Sequence, residues 1–290
     1  MADKSITSKN FVDQIETELI LGDTQNLEKA YTSRASALTS MPHSKTKDLV
    51  FARKNGDFEL EMRADPRIGL PYGVYPRYVL AFIVTEAVRT KSKIIRLGES
   101  FAGWMRDLGI TPSAGNKGTK KALRDQVNRL FSTSISFKSS SKERDVGLNF
   151  FPVEKYELWW GRHEENLELG ESTITLGEIF FKEIIEHPVV FYLDALKALK
   201  KSPLAIDIYI WLTYKNSYSK NSTFITWEQL QRQFGSGYPE NSDGKRDFKV
   251  NFKKAFKKVM VVYHEAKKID LQSEGLLFRP GEPHVPKLEK

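Results

Sequence analysis

The segment from Gly244 to Met260 places two different surfaces on one predicted helix. In GKRDFKVNFKKAFKKVM the apolar residues recur at helical spacing, and they are Phe248, Phe252, Ala255, Phe256 and Val259. A second face carries Arg246, Lys249, Lys253 and Lys257. The apolar face would pack on a core, and the second would present a row of cations. Such a ridge fits the major groove of DNA, which is about 12 Å wide and admits an α-helix. For this helix alone, a solvated lysine-rich face is an equally open interpretation.

A second segment, from Lys117 to Phe131, repeats this arrangement. The sequence KGTKKALRDQVNRLF has an apolar stripe of Leu123, Val127, Leu130 and Phe131. The opposite flank carries Lys117, Lys121, Arg124 and Asn128. Arginine and asparagine can each form two hydrogen bonds with a base edge, arginine with guanine and asparagine with adenine. Two cationic helices in one chain favour DNA binding over a chance pattern.

The elements predicted around these two helices occur in the same order. Each helix is preceded by an apolar helix, a short strand, a short helix and a turn. These are predicted at 75–90, 93–97, 100–108 and Gly109, and again at 202–218, 223–226, 227–234 and Gly235. A β-hairpin is predicted after each, at 135–138 with 147–156 and at 266–271 with 275–279. This is the order of a winged helix, a helix-turn-helix variant with a β wing. The two turn glycines lie about 126 residues apart, which indicates a domain-sized repeat.

We therefore expect an α+β, helix-rich chain with two tandem winged-helix domains. The predicted ranges are 57–160 for the first domain and 161–290 for the second. Residues 1–56 are predicted as a partly disordered N-terminal extension, in which 38–47 (LTSMPHSKTK) has the composition of a linker. Residues 57–63 (DFELEMR) alternate as a strand that enters the first domain.

The distribution of charge agrees with a polyanionic partner. The net charge is +8 and the sequence pI is about 9.3. The excess of Lys and Arg falls within 67–160 and 241–290, whereas 1–66 and 161–240 carry a slight excess of acids. The positive charge is thus concentrated where the two cationic helices lie.

Several classes of protein are disfavoured by what the sequence lacks. With no cysteine there are no disulfides or cysteine-based zinc sites. No apolar run reaches the roughly 18 residues of a membrane span, and the N-terminus has no signal-peptide core, so we expect a cytoplasmic protein without a membrane partner. The stretch 115–121 (GNKGTKK) has the wrong glycine spacing for a P-loop. The five histidines are scattered, with no HxH pair. We expect no catalytic residues, no metal and no cofactor.

Four strings in this chain resemble the plasmid RepA family of replication initiators. They are LPYGVYPRYVLAFIVTEAVRTKS (Leu70 to Ser92), IFFKEIIEHPV (Ile179 to Val189), SPLAIDIYIWLTY (Ser202 to Tyr214) and RDFKVNFKKAFKKV (Arg246 to Val259). The resemblance covers residues 60–285. It implies an initiator with two winged-helix domains, akin to iteron-binding plasmid initiators. Such a protein would bind repeated double-stranded origin sequences, help to open an adjacent AT-rich segment and help to load the replicative helicase.

The same resemblance implies the partners and the regulation. Besides double-stranded origin DNA, the expected partners are a host initiator, the replicative helicase and a second copy of the chain. In such families the dimers often repress their own gene while monomers initiate, which would connect binding to copy-number control.

Candidate DNA contacts follow from the helical faces. In the second helix we expect base contacts from Arg246 and Lys249, and phosphate contacts from Lys253, Lys257 and Lys258, with Lys245 beside them. In the first helix we expect base contacts from Lys121, Arg124 and Asn128, and phosphate contacts from Lys117 and Lys120. Wing residues Lys138, Lys142 and Arg144 would add backbone or minor-groove contacts, and a plain solvated loop is equally open there.

Two other functions stay open at the level of sequence. A transcriptional repressor without an initiation role would use the same two domains. A catalytic Rep that nicks DNA through a tyrosine would need the histidine pair that this sequence lacks. Direct repeats near the gene would favour initiation, and one inverted repeat over its promoter would favour repression.

Overall fold

The structure is a computed structural model, and it describes residues 27–98, 100–140, 143, 145–160, 171–235 and 237–286. The chain forms two compact units. The central unit spans Tyr31–Pro188, and the terminal unit combines Met1–Ala30 with Val189–Lys290. The chain passes from one compact unit to the other after residues 30 and 188. The predicted domain ranges 57–160 and 161–290 stay a prediction. Of the predicted extension, residues 1–26 lie outside the described residues.

The central unit is built from short strands around two longer helices. After β1 (Lys29–Ser33), which crosses the boundary, its elements are α1 (Arg34–Leu38), β2 (Val50–Asn55), β3 (Phe58–Arg63), α2 (Val74–Thr90), β4 (Ile94–Arg96), α3 (Phe101–Asp107), α4 (Thr119–Phe131), β5 (Ser134–Ser140), β6 (Asp145–Phe150), β7 (Val153–Glu157), β8 (Thr173–Leu176) and α5 (Glu178–Glu186). The predicted helices at 75–90 and 100–108 and the strand at 93–97 are confirmed, within one residue at most ends.

The strands of the central unit form two antiparallel sheets. One has the order β2-β3-β5-β6, and the other has the order β4-β8-β7. In the first sheet Leu60 pairs with Phe137 and Met62 pairs with Ile135, and all four side chains are buried. In the second sheet Ile95 pairs with Ile174, and both are buried. Each sheet therefore has one face in the core.

The hairpin predicted at 135–138 with 147–156 is confirmed as far as Phe150 and was wrong beyond it. β5 does pair with β6, but it also pairs with β3, so this hairpin belongs to the four-stranded sheet. Residues 153–157 form the separate strand β7, which pairs with β8. The alternation of apolar residues along a strand specifies which of its faces is buried, but it does not specify which strand pairs with it. The hairpin that completes the sheet of β4 is β7–β8.

The segment 38–47 was expected to be a linker, and this was wrong for its first half. Residues 38–42 are buried. The guanidinium of Arg77 donates to the carbonyl oxygens of Met41 at 2.9 Å and of Gly73 at 2.5 Å. It also reaches the carbonyl oxygen of Pro42 at 3.4 Å. A buried side chain from α2 thus satisfies the polar backbone of a stretch that has no regular structure.

The terminal unit contains the second copy of the predicted order. Its elements after β9 (Pro188–Tyr192) are α6 (Leu193–Ala198), α7 (Pro203–Tyr218), β10 (Thr223–Thr226), α8 (Trp227–Phe234), α9 (Ser242–Val262), a 3-10 helix (His264–Lys268), β11 (Asp270–Leu271) and β12 (Gly275–Phe278). The predicted bounds of β10 and α8 are confirmed. Thr226 and Gln229 form a capping box that begins α8, and Asn241 accepts a hydrogen bond from the Gly244 amide at the start of α9.

The two units share a strand order. In the terminal unit the sheet runs β10-β12-β11, and in the central unit it runs β4-β8-β7. In both, the strand before the middle helix pairs with the last strand of a hairpin that comes after the cationic helix, and in the central unit β5 and β6 stand between that helix and the hairpin. The repeat predicted from the sequence therefore extends to the pairing of the strands.

The N-terminal residues 27–30 are held within the terminal unit. The Glu28 amide donates to the Asp194 carboxylate at 3.1 Å, and the Glu28 carbonyl accepts from the Leu193 amide at 2.8 Å. The Glu28 side chain lies 3.7 Å from Lys197. These contacts join two segments that are far apart in sequence.

A C-terminal segment closes the core of the same unit. His284 stacks on Tyr263 with ring centroids 4.6 Å apart, and its Nδ1 lies 2.8 Å from the Tyr209 hydroxyl. The Asn216 side chain accepts from the Gly281 amide at 3.0 Å and donates to the Tyr263 hydroxyl at 2.6 Å. Val285 is buried. His284 and Val285 therefore pack against the core of the terminal unit, whereas Glu282 between these contacts is exposed.

Candidate nucleic-acid interface

The apolar face of α9 anchors that helix to the core of the terminal unit. The predicted residues Phe248, Phe252, Ala255, Phe256 and Val259 are all buried, which confirms the assignment of this face. The Phe252 ring lies 5.7 Å from Trp227 and 5.9 Å from Phe234, both on α8. Because this face is fixed, the cationic residues of α9 are directed away from the core.

At the beginning of α9, the cations are matched by acids. Lys245 forms a 2.6 Å ion pair with Glu228 of α8, and the hydrogen bond from Lys245 lowers the pKa of the Glu228 carboxyl. Arg246 lies 3.2 Å from Asp243 and 3.4 Å from Asp247. A base contact from Arg246 would therefore have to replace exposed ion pairs, which are individually weak.

In the middle of α9, two lysines surround one tryptophan. The ammonium groups of Lys249 and Lys253 lie 5.2 and 5.8 Å from the ring centroid of Trp227. Lys249 also donates to the carbonyl oxygen of Ser273 at 2.6 Å, in the turn between β11 and β12. These two lysines thus lie next to the hairpin that follows the helix.

Toward the end of α9, the lysines are exposed. Lys257 and Lys258 project into solvent, as does Lys254, which the helical-face argument had left out. The spacing of Arg246, Lys249, Lys253 and Lys257 places them along one flank that extends about 16 Å at 1.5 Å per residue.

The corresponding helix of the central unit, α4, has the same division. Leu123, Val127, Leu130 and Phe131 are buried, as predicted. Lys120, Lys121 and Arg124 are exposed, and Asn128 is partly buried. Lys117 is exposed and precedes the helix, which begins at Thr119. Lys121 donates to the Asn116 side chain at 3.4 Å, and the guanidinium of Arg124 lies 5.2 Å from the Trp160 ring centroid.

A family model described as plasmid encoded RepA protein matches residues 70–229 of this sequence. This range is more than half of the chain. The chain belongs to the plasmid-encoded RepA family. The resemblance to plasmid RepA initiators that the sequence predicts is therefore confirmed. The matched RepA range includes α4 and ends within α8, so α9 lies beyond it.

Comparison with solved structures gave chains from RctB. A crystal structure of selenomethionine derivatives of domains 2 and 3 of RctB has a TM-score of 0.49 at 12% identity, covering 76% of this chain and 80% of that one. A second structure of RctB domains 2-3 has a TM-score of 0.48 at 11% identity, covering 77% of this chain and 82% of that one. The comparison with curated proteins gave no match.

Three candidates of this RepA family member remain, and the structure describes one of them, Lys138. Lys138 is exposed on β5, where it pairs with Gly147 in the four-stranded sheet. Lys142 and Arg144 lie outside the described residues. Since this hairpin does not pair with β4, Lys138 is not on the strand pair that follows α4 in the repeated order.

Two further properties concern the described parts of the RepA chain. There, no group of three or more His, Asp or Glu residues is arranged to hold a metal ion. Among the helices that the structure describes, none is both long and apolar enough to cross a bilayer.

Proposed function

We propose that this RepA family member is a plasmid replication initiator that binds repeated double-stranded origin sequences, or iterons. In this proposal α4 and α9 are the recognition helices of two winged helices, with β7–β8 and β11–β12 as the wings. The protein then promotes origin opening and recruits the replicative helicase. It acts by binding alone and has no catalytic site.

One observation carries the proposal. Two helices with cationic outer faces occupy the same place in two units that share strand pairing and, apart from β5 and β6 in the central unit and the 3-10 helix in the terminal unit, element order. A helix with one anchored apolar face and one cationic face suits the major groove, where its side chains reach base edges and phosphates. Two such helices in one chain suit successive grooves of a repeated site, about 34–36 Å apart.

The roles of individual residues follow from their surroundings. Lys257 and Lys258 are exposed at the end of α9 and suit phosphate contacts. In the middle of the outer flanks, Arg124 and Lys249 project next to the hairpins. Lys138 would contribute a separate backbone contact from the four-stranded sheet and not from a wing, and the backbone contacts of Lys142 and Arg144 stay predictions from the sequence.

A footprint on DNA flanking the encoding gene tests the proposal directly. At about 150 mM salt with excess nonspecific competitor, we expect protection at regularly spaced direct repeats. Permanganate reactivity of the neighbouring AT-rich segment would report origin opening. Protection of one inverted repeat over the promoter would instead support the alternative, a winged-helix repressor without an initiation role. Binding that competitor abolishes would leave a nonspecific nucleic-acid binder.

The salt dependence of binding tests the electrostatic part. If each recognition helix makes four to six phosphate contacts, the slope of log K against log salt is about −7 to −11. We expect Arg246→Ala to lose about 1–3 kcal/mol on the footprinted repeat and less on random DNA. Lys220→Ala, an exposed lysine outside both helices, is the matched control and should leave both affinities unchanged. Equal losses for Arg246→Ala on both DNAs would make Arg246 a phosphate contact.

A further inference from the structure

The two cationic helices can be aligned in sequence by the spacing of their buried residues. In α4 they include Leu123, Val127 and Phe131, and in α9 they include Phe248, Phe252 and Phe256. Both sets are separated by four residues. This correspondence makes Arg124 equivalent to Lys249, since each directly follows the first buried residue of its set.

These equivalent cations share an unusual neighbour. The guanidinium carbon of Arg124 lies 5.2 Å from the ring centroid of Trp160, and the ammonium of Lys249 lies 5.2 Å from that of Trp227. A cation within about 6 Å of an indole centroid is attracted to the ring. Both tryptophans are partly buried and partly exposed. The same position on the helix therefore carries the same contact in both units.

The two tryptophans come from different elements but join the same parts. Trp160 follows β7 and packs against Phe101, the first residue of α3, with ring centroids 4.7 Å apart. Trp227 is itself the first residue of α8, and its indole N–H donates to the carbonyl oxygen of Ser273 in the β11–β12 turn at 2.9 Å. In each unit a tryptophan thus connects the middle helix with the hairpin and with the cationic helix, through Arg124 in the central unit and through Lys249 and Lys253 in the terminal unit.

We propose that Trp160 and Trp227 are positioning residues for DNA recognition. Each fixes the cation at the equivalent position, Arg124 or Lys249, next to the hairpin, so that helix and hairpin meet DNA as one preformed surface. Immobilising a long side chain at an interface costs about 0.5–1.5 kcal/mol, and a side chain that is already held loses less on binding. This inference rests on the proposed DNA-binding function of α4 and α9.

A double-mutant cycle tests the positioning role. Affinities for a duplex that carries one footprinted repeat are measured for the native chain, Trp227→Leu, Lys249→Met and the double variant. We expect Trp227→Leu alone to weaken binding about two- to five-fold. In the Lys249→Met background we expect Trp227→Leu to cause a clearly smaller loss, because only the contact of Trp227 with Lys253 at 5.8 Å is then left to remove. Trp227→Phe retains a ring for the cation and should recover part of the affinity.

The control separates positioning from folding. Lys257 lies on the same helix, and neither of the two lysines that contact Trp227 is changed when it is replaced. Losses from Trp227→Leu and Lys257→Met should therefore be additive. Urea unfolding of each variant identifies any that are not folded, and Trp160→Leu with Arg124→Met repeats the cycle in the central unit.

The outcomes distinguish the two proposals. Additive losses for Trp227→Leu and Lys249→Met on a footprinted duplex would overturn the positioning role and leave the initiator proposal standing. Absence of any footprint with the native chain would overturn both. Coupling between tryptophan and cation in both units, together with additive losses for Trp227→Leu and Lys257→Met, would support the positioning role of both tryptophans.

Discussion

Acidification should destabilise the terminal unit through His284. Burial lowers the pKa of this imidazole to about 4, from an ordinary value of 6.5. The Tyr192 amide donates to the Tyr209 hydroxyl, and that hydroxyl lies 2.8 Å from Nδ1 of His284. Burial also raises the pKa of Tyr209, so its hydroxyl keeps its proton and can donate to an unprotonated Nδ1. A proton on Nδ1 would put two donors face to face.

The size of the effect follows from the two pKa values. The unfolded chain binds a proton at His284 near pH 6.5, and the folded chain binds it only near pH 4. The contribution to stability is thus fully present above pH 6.5 and is lost as the pH falls toward 4. At 1.36 kcal/mol for each pH unit, the total is about 3 kcal/mol, and about 2 kcal/mol is already lost at pH 5.

Urea unfolding at pH 7 and pH 5 measures this loss. His284→Asn is the informative variant because the asparagine oxygen can still accept a hydrogen bond from the Tyr209 hydroxyl, and the asparagine side chain does not titrate. We expect the free energy of unfolding to fall by about 2 kcal/mol more in the native chain than in His284→Asn between these pH values. His187→Asn, at an exposed position, is the matched control and should behave like the native chain. The same pH dependence in native and His284→Asn protein would refute the reasoning.

Three further substitutions test the packing. Phe252→Ala removes a fully buried ring of α9 and should lower the free energy of unfolding by about 3–5 kcal/mol, whereas Val250→Ala, 45% exposed on the same helix, should change it by less than about 0.5 kcal/mol. Gly244→Ala would place a Cβ 2.0 Å from the Pro239 carbonyl oxygen, so a lower melting temperature is expected, and an unchanged one would show that the turn can adjust. Arg77→Leu removes the donors for the buried carbonyls at the end of the 38–42 segment, so we expect a loss of about 2–4 kcal/mol and faster proteolytic cleavage near that segment.

The helices that were predictable are those with strong local signals. The buried face of α9 follows from the spacing of Phe248, Phe252 and Phe256, since apolar residues that recur with a period near 3.6 share one face of an α-helix. The start of α7 follows from Ser202 and Pro203, and the start of α8 from Thr226 and Gln229. In each case the determinant lies within a few residues of the element itself.

Sheet neighbours were not predictable in this way. β5 pairs with β3, whose residues lie more than 70 positions earlier, and the pattern of β5 is equally compatible with β4 as its partner. Residues 50–55 fell within the predicted extension, yet they form β2, whose Phe51 is buried opposite Met62. The carbonyl oxygens of Met41 and Pro42 accept from Arg77, which no local pattern connects with that segment.

At the candidate interface, the sequence identified the cations but not their surroundings. The acids beside Arg246 were visible as Asp243 and Asp247, three residues before and one after it, and helical spacing alone would have paired the first. The contact of Lys249 with Trp227 and Ser273 joins three elements that are far apart in sequence. The DNA contacts predicted for these residues stay predictions.

The division of the terminal unit between both ends of the chain sets an order for its biosynthesis. Glu28 leaves the ribosome early, but its partner Asp194 follows 166 residues later. At about 5–20 residues per second, Glu28 waits roughly 8–30 s for that partner, whereas the central unit is complete in sequence at residue 188. The central unit can therefore fold during translation, and the terminal unit closes later, once Glu28 meets Asp194 and the helices and strands that follow it.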